Sequence, residues 1–387
     1  MITTPLAHEA VRTIDAEMAY GQWVGSTVEE QSRIETRVTL NVEKRSPGVA
    51  QILSYSPQYP NLRMCTMSVF QDNGAVIVIE LPDVKYFDLA TGNLLPIEEL
   101  WKQNKIEQPL PKKITYTFQE RGRVLAGSFE NDTGQSGSFH LVNSVNDTAS
   151  KADHTLTWKE YKEFVAEKYL NKETIIFRGQ PDSSYKLRTS FHRCDRNNLL
   201  KYINDDVPKL RHAVNAVSSF FYPRNDAEHL GGLLSLAQHH GYPTPLLDWT
   251  FSPYIAAFFA FTEFGQKPTP PSAVRIFVFD FMNWSAQPSP NLIIDPLPTI
   301  SFLIPSAHNN PRFVPQQSIA SFSNVDDIET WVRNYVKPTP LTVIDIPISE
   351  KNRVIDELRL MGITAGSLFP GIDGLCRSLK EKYFTCQ

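Results

Sequence analysis

Hydrophobic and polar residues alternate in the first part of the chain, most clearly in Thr36 to Glu43 (TRVTLNVE). Shorter β-prone runs follow at Met67 to Phe70, Ala75 to Leu81, Lys113 to Phe118, Val124 to Phe129 and Ser138 to Val142. Turn signals such as Arg121-Gly122 and Thr133-Gly134 separate them. Short strands with such turns are typical of antiparallel sheets. We therefore predict an antiparallel β-barrel or sandwich over residues 1–145, opening with a short helix or loose lead-in at residues 1–20.

The pattern changes after residues 143–157 (NSVNDTASKADHTLT), which are small and polar and are typical of a linker. Beyond them we predict short strands at Thr174 to Phe177, Thr244 to Asp248, Val274 to Asp280, Phe313 to Phe322 and Leu341 to Ile346. Helical spacing predicts helices from Thr157, over Leu199 to Phe221, over Leu230 to His240 and over Lys351 to Met361. Ser252 and Pro253 are the predicted start of a buried apolar helix. The fold class is therefore α+β, with a mixed α/β domain over residues 155–387.

Composition narrows the range of functions. Of the 387 residues, 41% are hydrophobic and 21% charged, which indicates a globular protein. The net charge of −4 provides no overall basic field for nucleic acid phosphates. None of the four cysteines lies in a C-x-x-C pair, so a zinc site of usual spacing is not expected. No signal peptide or apolar segment of membrane-spanning length is evident, so we expect a cytoplasmic protein without a membrane partner.

Arg178 lies at the end of an apolar strand pattern and precedes Gly179. A guanidinium in that position must be paired or face a cleft, because an unpaired buried charge is costly. Its planar fork suits phosphate or carboxylate groups, and Gly179 allows close backbone approach or a positive φ. The alternative is a structural ion pair between Arg178 and an acid such as Asp248.

Fifteen residues from Leu236 to Thr250 concentrate polar side chains before the apolar helix. Adjacent histidines point to different sides, and His240, which is nearer the strand, is the one that we predict to face a pocket. With Arg178, the helix start at Ser252 would form a phosphate cradle. Alternatively, His240 is a hydrogen-bonded core residue, and Asp248 and Thr250 only bracket the helix cap.

Gln316 and Gln317 open the next strand pattern (RFVPQQSIASF). Their amides could orient a ribose or an amide group, although an amide cannot act as a general base. The alternative is solvent exposure on an edge strand, which Pro315 favours.

The run Gly21 to Gly25, together with Gly127-Ser128-Phe129 and Gly137-Ser138-Phe139, resembles small lipocalin-like barrels. This resemblance leaves two interpretations, a ligand cup or a barrel with a packed interior, and we favour the packed interior.

The second half resembles the FRG domain over residues 155 to 385. The resemblance rests on Phe177-Arg178-Gly179, Leu236 to Gly241, Thr244, Leu246 to Thr250, Asn310-Pro311-Arg312 and Gln316-Gln317. Pro245 stands where that family usually has arginine, and Ser318 where it usually has glycine. The first departure removes a cation that could bind phosphate.

The motif order of that family is similar to that of ADP-ribosyltransferases. This similarity implies that Arg178 and Gly179 hold the phosphates or ribose of NAD, and that Thr250 and Ser252 support Arg178 and the nicotinamide ribose. Gln316, with Gln317 beside it, would replace the usual glutamate. Since an amide cannot carry charge, Asp248 or His240 would then serve catalysis.

We therefore expect an enzyme that uses NAD to transfer ADP-ribose to an unidentified protein or nucleic acid target, and a bacterial toxin or defence role suits this architecture. The N-terminal β domain would recognise a partner or trigger. The main alternative is a non-catalytic module that binds nucleotides or nucleic acid. A hydrolase based on His240 and Asp248 is a third hypothesis, but it lacks a nucleophile motif.

Overall fold

The computed structural model describes residues 20–44, 49–59, 62–72, 77–81, 84–88, 109–145, 148–224, 227–263, 271–281, 284, 298–304 and 311–384. The predicted lead-in at residues 1–20 lies outside this part of the chain, apart from Tyr20. No helix within the described residues is long and apolar enough to cross a membrane.

The first sheet has nine antiparallel strands in the order β3-β2-β1-β9-β8-β7-β5-β4-β6. Their bounds are β1 Gly21–Glu29, β2 Glu35–Val42, β3 Val49–Tyr55, β4 Leu62–Asp72, β5 Ile77–Leu81, β6 Lys85–Asp88, β7 Ile114–Arg121, β8 Val124–Asn131 and β9 Ser136–Asn143. The sheet curls into a half-barrel, and β3 pairs with β4 as well as with β2. The prediction of an antiparallel N-terminal sheet is confirmed.

The concave side of this sheet holds one apolar core, which includes Trp23, Leu40, Ile52, Phe118 and Phe139. All five are at most 1% exposed. They come from five different strands because alternate residues of each strand face inward. The curl therefore turns the period-two pattern of the sequence into a continuous buried surface.

The second sheet has seven strands in the order β10-β16-β13-β11-β12-β15-β14. Their bounds are β10 His154–Thr155, β11 Ile175–Gln180, β12 Leu246–Thr250, β13 Ala273–Asp280, β14 Ile300–Leu303, β15 Ser318–Ser323 and β16 Leu341–Pro347. The short β10 pairs in parallel with β16, and the other ladders are antiparallel.

Helices cover both faces of this sheet, which confirms the mixed α/β class of the second half. They are α1 Trp158–Tyr169, α2 Ser190–Arg193, α3 Leu199–Lys201, α4 Val207–Val217, α5 Ala227–His239, α6 Pro253–Thr262, α7 Ile328–Tyr335, α8 Lys351–Leu360, α9 Ala365–Leu368 and α10 Ile372–Tyr383. A π-helical turn, Tyr202–Asp206, joins α3 to α4, so the helix predicted over Leu199 to Phe221 consists of shorter segments.

Two helix starts follow the predicted capping chemistry. Thr157 accepts a hydrogen bond from the backbone N–H of Glu160, whose side chain returns to the Thr157 backbone in a capping box. Ser252 accepts from the N–H of Ile255 at 3.3 Å, with Pro253 in the first turn. Both caps satisfy N–H groups that the first turn of a helix leaves without partners.

The strand predicted at Phe313 to Phe322 begins only at Ser318, because residues 311–317 form turns. Gln317 has a φ of 48°, in the left-handed region, which is incompatible with an extended strand. β15 also lies between β12 and β14, so the prediction of an edge strand from Pro315 is wrong. Proline stands in the turn before the strand, where no ladder hydrogen bond is needed.

Polar groups join the two sheets. Glu43, directly after β2, is 4% exposed and accepts hydrogen bonds from Arg196 Nε at 3.1 Å. It also accepts from the backbone N–H groups of Asn197 and Asn198, both at 2.9 Å. A carboxylate from the half-barrel therefore satisfies donors at the start of α3 in the second half.

Candidate functional site

Strands β11 and β12 are neighbours in the sheet but share one paired position, Phe177 with Thr250. Beyond that pair the strands separate, and Arg178 lies at the gap. Its Nη1 donates a hydrogen bond to the backbone carbonyl of Asp248 at 2.6 Å. The guanidinium thus supplies a donor to a carbonyl of the diverging strand, since buried carbonyl groups need partners.

Arg178 retains an unused donor. Its Nε is buried and has no hydrogen-bond partner within the described residues. No ion pair joins its guanidinium to the Asp248 carboxylate in that part of the chain, and the contact is instead with the backbone carbonyl of Asp248. Burial lowers the pKa of Arg178, and the nearby charges of Asp248 and Glu263 act in the opposite direction.

A cleft of about 280 Å³ opens beside Arg178. Asp248, Thr250 and Gln316 line it, together with Glu263 and Arg312. The described part of its lining therefore carries two guanidinium groups and two carboxyl groups in a partly buried space. Such a balance suits a polar ligand that has both anionic and neutral hydrogen-bonding parts.

The Asp248 carboxylate is held in place by a short chain of side chains. Gln238 Nε2 donates to Asp248 Oδ2, and Gln238 Oε1 accepts from the hydroxyl of Thr244. The Thr244 backbone N–H in turn donates to Ser190 Oγ at 2.9 Å. Gln238 and Thr244 belong to the polar run noted in the sequence. Their side-chain atoms that make these hydrogen bonds orient the Asp248 carboxylate at the cleft and are not available to a ligand.

Thr250 and Gln316 are hydrogen-bonded to each other and to residues at the ends of α6 and α9. The Thr250 hydroxyl donates to the Gln316 carbonyl at 2.8 Å and accepts from the Ser252 N–H at 3.1 Å. Gln316 Nε2 donates to the Leu368 carbonyl at 3.1 Å. Thr250 is 4% exposed, so its main role in this state is to fix the turn before β15 against the end of β12.

Three predicted site residues lie elsewhere. His240 is exposed beyond the end of α5, and His239, the last residue of that helix, lines the cleft in its place. Ser252 is absent from the lining because its hydroxyl caps α6. Gln317 is exposed in its left-handed turn, where its carbonyl accepts from the Phe251 N–H at 3.1 Å.

The predicted phosphate cradle at the start of α6 is also corrected. The helix presents Ala256 and Phe259 to the cleft, its C-cap residue Glu263 also lines it, and residues 253–255 at its start are not among the described lining residues. Glu263 thus brings to the cleft the helix end at which the dipole disfavours anions. Any anion in the cleft would depend on Arg178 and Arg312.

Gly179 lines the cleft, but the reason for glycine at this position is its close contact with α6. A Cβ at this position would stand 2.0 Å from the Ala256 carbonyl oxygen and 2.8 Å from the Ala260 nitrogen. Its φ is not positive. Glycine therefore allows α6 to pack directly onto β11, which sets the height of the cleft wall.

Glu263 is the cleft residue that sequence reasoning missed. Its side chain is 49% exposed, on a surface that faces the cleft. Burial raises the pKa of the Glu263 carboxyl above its usual value, and the positive charges of Arg377 and Arg178 act in the opposite direction. The signal in the sequence was an acid directly after a ten-residue apolar helix, which is unusual unless the acid reaches a polar space.

The family model described as FRG domain matches residues 173–268, in the C-terminal part of the chain. The matched segment includes Arg178, Gln238, Asp248, Thr250 and Glu263, so most of the cleft belongs to it. Arg312, Gln316, Ser318 and Phe369 complete the described lining from beyond the matched residues. No curated protein matches the chain.

Proposed function

We propose that the Arg178 cleft binds NAD and that the protein transfers ADP-ribose from it to a protein or nucleic acid target. The observation that carries this proposal is a guanidinium with an unpartnered Nε beside two carboxyl groups in one cleft. A buried donor without a partner is costly in a folded protein, and a ligand oxygen would remove that cost.

Each group has a defined task in this proposal. Arg178 Nε and the Arg312 guanidinium bind oxygens of the diphosphate or ribose, since a guanidinium binds such groups with its planar fork. Phe369 lies under Arg312, with its ring centroid 5.1 Å from the guanidinium carbon, and keeps that cation at the cleft edge. Asp248, oriented by Gln238, faces the ribose carbon at which positive charge develops.

The dinucleotide supplies both the ADP-ribose group and the nicotinamide that leaves. The bond from ribose C1′ to the nicotinamide nitrogen breaks with its electron pair, and C1′ forms a bond to a nucleophilic atom of the target. The proton of that nucleophile passes to a carboxylate or to solvent. Asp248 and Glu263 are the carboxyl groups in the described lining that can stabilise charge or accept this proton.

The volume limits what the cleft encloses. Small-molecule sites commonly occupy roughly 300–1,000 Å³, and this cleft of about 280 Å³ lies just below that range. It would enclose the nicotinamide ribose and adjoining phosphate and leave the remainder of the dinucleotide at the surface. An N-terminal β domain that recognises a trigger, and a role as a bacterial toxin or defence effector, belong to the same proposal.

One observation favours the alternative of a non-catalytic nucleotide-binding module. Gln316 takes the place of the usual glutamate, and its side-chain amide donates a hydrogen bond to the Leu368 carbonyl at 3.1 Å. This neutral amide cannot supply the charge of a glutamate. In that case the cleft would bind the nucleotide and leave its glycosidic bond intact.

The test uses NAD labelled in the adenosine part and separately measures binding, nicotinamide release and label transfer to protein and nucleic acid. Arg178→Met should abolish binding, whereas Asp248→Asn should retain binding and lose release by roughly a hundredfold, as for a lost electrostatic group in other enzymes. Arg359→Met, at an exposed arginine of α8, is the control and should behave as wild type.

Binding without any nicotinamide release or transfer by the wild-type protein would establish the non-catalytic alternative. Wild-type binding that Arg178→Met leaves unchanged would refute the assignment of the cleft itself.

A further inference from the structure

A second cavity lies inside the N-terminal half-barrel. Its volume is about 150 Å³, and every described residue that lines it falls between Thr27 and Gln135, so it is separate from the Arg178 cleft. The packed interior that the sequence favoured is therefore interrupted at one end of the sheet.

The cavity has an apolar body and a polar entrance. Leu62, Met64 and Ile114 line it and are at most 7% exposed. Gln58 and Pro109 line it and are exposed, which marks the opening. Water needs two to four polar partners, which the apolar surface formed by Leu62, Met64 and Ile114 does not supply.

Tyr116 contributes a polar group to the lining of the cavity. Tyr116 is 3% exposed, and its hydroxyl makes no hydrogen bond within the described residues. Tyr86, which also lines the cavity, donates to the Pro111 carbonyl at 2.9 Å. Burial raises the pKa of both phenols, so both stay neutral donors. The unused hydroxyl of Tyr116 is the natural contact for a ligand.

Size and charge define the ligand. A cavity of about 150 Å³ accommodates a single benzene ring. No lysine or arginine is among the described lining residues, and Glu29 is the one carboxylic acid, so an anionic ligand would lack a counter-charge. We propose that the half-barrel binds a small neutral molecule with an apolar body of about one ring and one hydroxyl or carbonyl group that hydrogen-bonds Tyr116.

The test uses the full-length protein with p-cresol and toluene as probes, and follows binding through methyl signals of ¹³C-labelled methionine. Met64 lines the cavity, while Met67 on the same strand is 43% exposed and serves as an internal control. Wild type should bind p-cresol more tightly than toluene, with a shift of the Met64 signal and none of Met67. Tyr116→Phe should weaken p-cresol binding roughly tenfold, about one buried hydrogen bond, and leave toluene binding unchanged.

Ser54→Phe places a ring into the cavity from β3 and should abolish binding of both probes. If this variant does not fold, the probe-induced shifts of the Met64 and Met67 signals in the wild-type protein are sufficient to test the proposal. Saturating probe without a Met64 shift would overturn the proposal, as would equal affinity of wild type and Tyr116→Phe for p-cresol. Failure to bind either probe would mean that water alone occupies the cavity. None of these outcomes depends on whether the Arg178 cleft binds NAD.

Discussion

At the scale of single residues, His192 shows how burial changes chemistry in this protein. It is fully buried in α2, its Nδ1 lies 2.7 Å from the Thr189 hydroxyl, and its Nε2 has no partner in the described structure. Burial, and then the charges of Arg188 and Arg193, lower its pKa from 6.5 to about 3. The imidazole therefore stays neutral in the folded protein at pH values where the unfolded chain is protonated.

We expect His192→Gln to remove an acid-induced loss of stability. Because the folded pKa lies below the unfolded one, the unfolded chain binds more protons between pH 6.5 and about 3, and stability falls as the pH decreases through that window. Relative to wild type, the variant should gain about 2 kcal/mol between pH 7 and pH 5. Urea unfolding at several pH values measures this difference.

The pH dependence of stability must be compared between the variant and wild type, because the titration of Asp326 changes stability in the opposite direction to that of His192. Burial raises its pKa from 3.8 to about 6 despite its pairing with Arg188, so its contribution falls as the pH rises through that range. His212→Gln, at an exposed histidine, is the control and should follow the wild-type curve. An identical pH profile for His192→Gln would show that His192 is protonated in the fold.

At the scale of elements, the contact between β11 and α6 sets the position of the cleft, and Gly179→Ala tests it. The added Cβ would meet the Ala256 carbonyl at 2.0 Å, and a backbone atom can only yield if the helix moves. We expect a loss of roughly 2 kcal/mol or more in the free energy of unfolding, as in other overpacked cores.

Gly366→Ala, in α9, is the matched control, since its Cβ would find its nearest neighbour, the Ser378 Cβ, at 3.6 Å. It should be neutral or slightly stabilising, because alanine favours a helix. Equal stability of the two variants in urea unfolding would mean that α6 is not held against β11 in solution.

Periodicity predicted most elements of both sheets, because buried strands and amphipathic helices leave a direct record in the sequence. It failed at β15, where the left-handed Gln317 delays the strand, and at His240, where a one-residue error at the end of α5 exchanges one histidine for the other. The cleft itself depends on the single pairing between β11 and β12. Such a divergence arises from tertiary packing and has no local signature in the sequence.

At the scale of the whole molecule, hydrogen bonds together with the stretch of chain from Ser190 to Asn198 lead from the half-barrel to the cleft. The Glu43 carboxylate holds the backbone N–H of Asn198 at the start of α3. A few residues earlier, Ser190 accepts from the Thr244 N–H, and Thr244 reaches Asp248 through Gln238. A trigger that moved Glu43 would therefore act on the segment that orients the cleft carboxylate.

Glu43→Ala should remove the stabilisation that the half-barrel gives to the second half of the chain. It leaves the Nε of Arg196 and two buried backbone N–H groups without their acceptor, while Arg196 Nη2 keeps its hydrogen bond to Asp206 at 2.8 Å. Each buried donor left unpaired costs about 1–3 kcal/mol. Hydrogen exchange should increase over residues 188–198 and 236–250. The neighbouring Lys44→Ala removes an exposed pair with Asp195, 3.2 Å apart, and should change stability by less than about 1 kcal/mol. If exchange increases at residues 188–198 alone, the half-barrel stabilises the second half without reaching Asp248, and a trigger would have to act by another route.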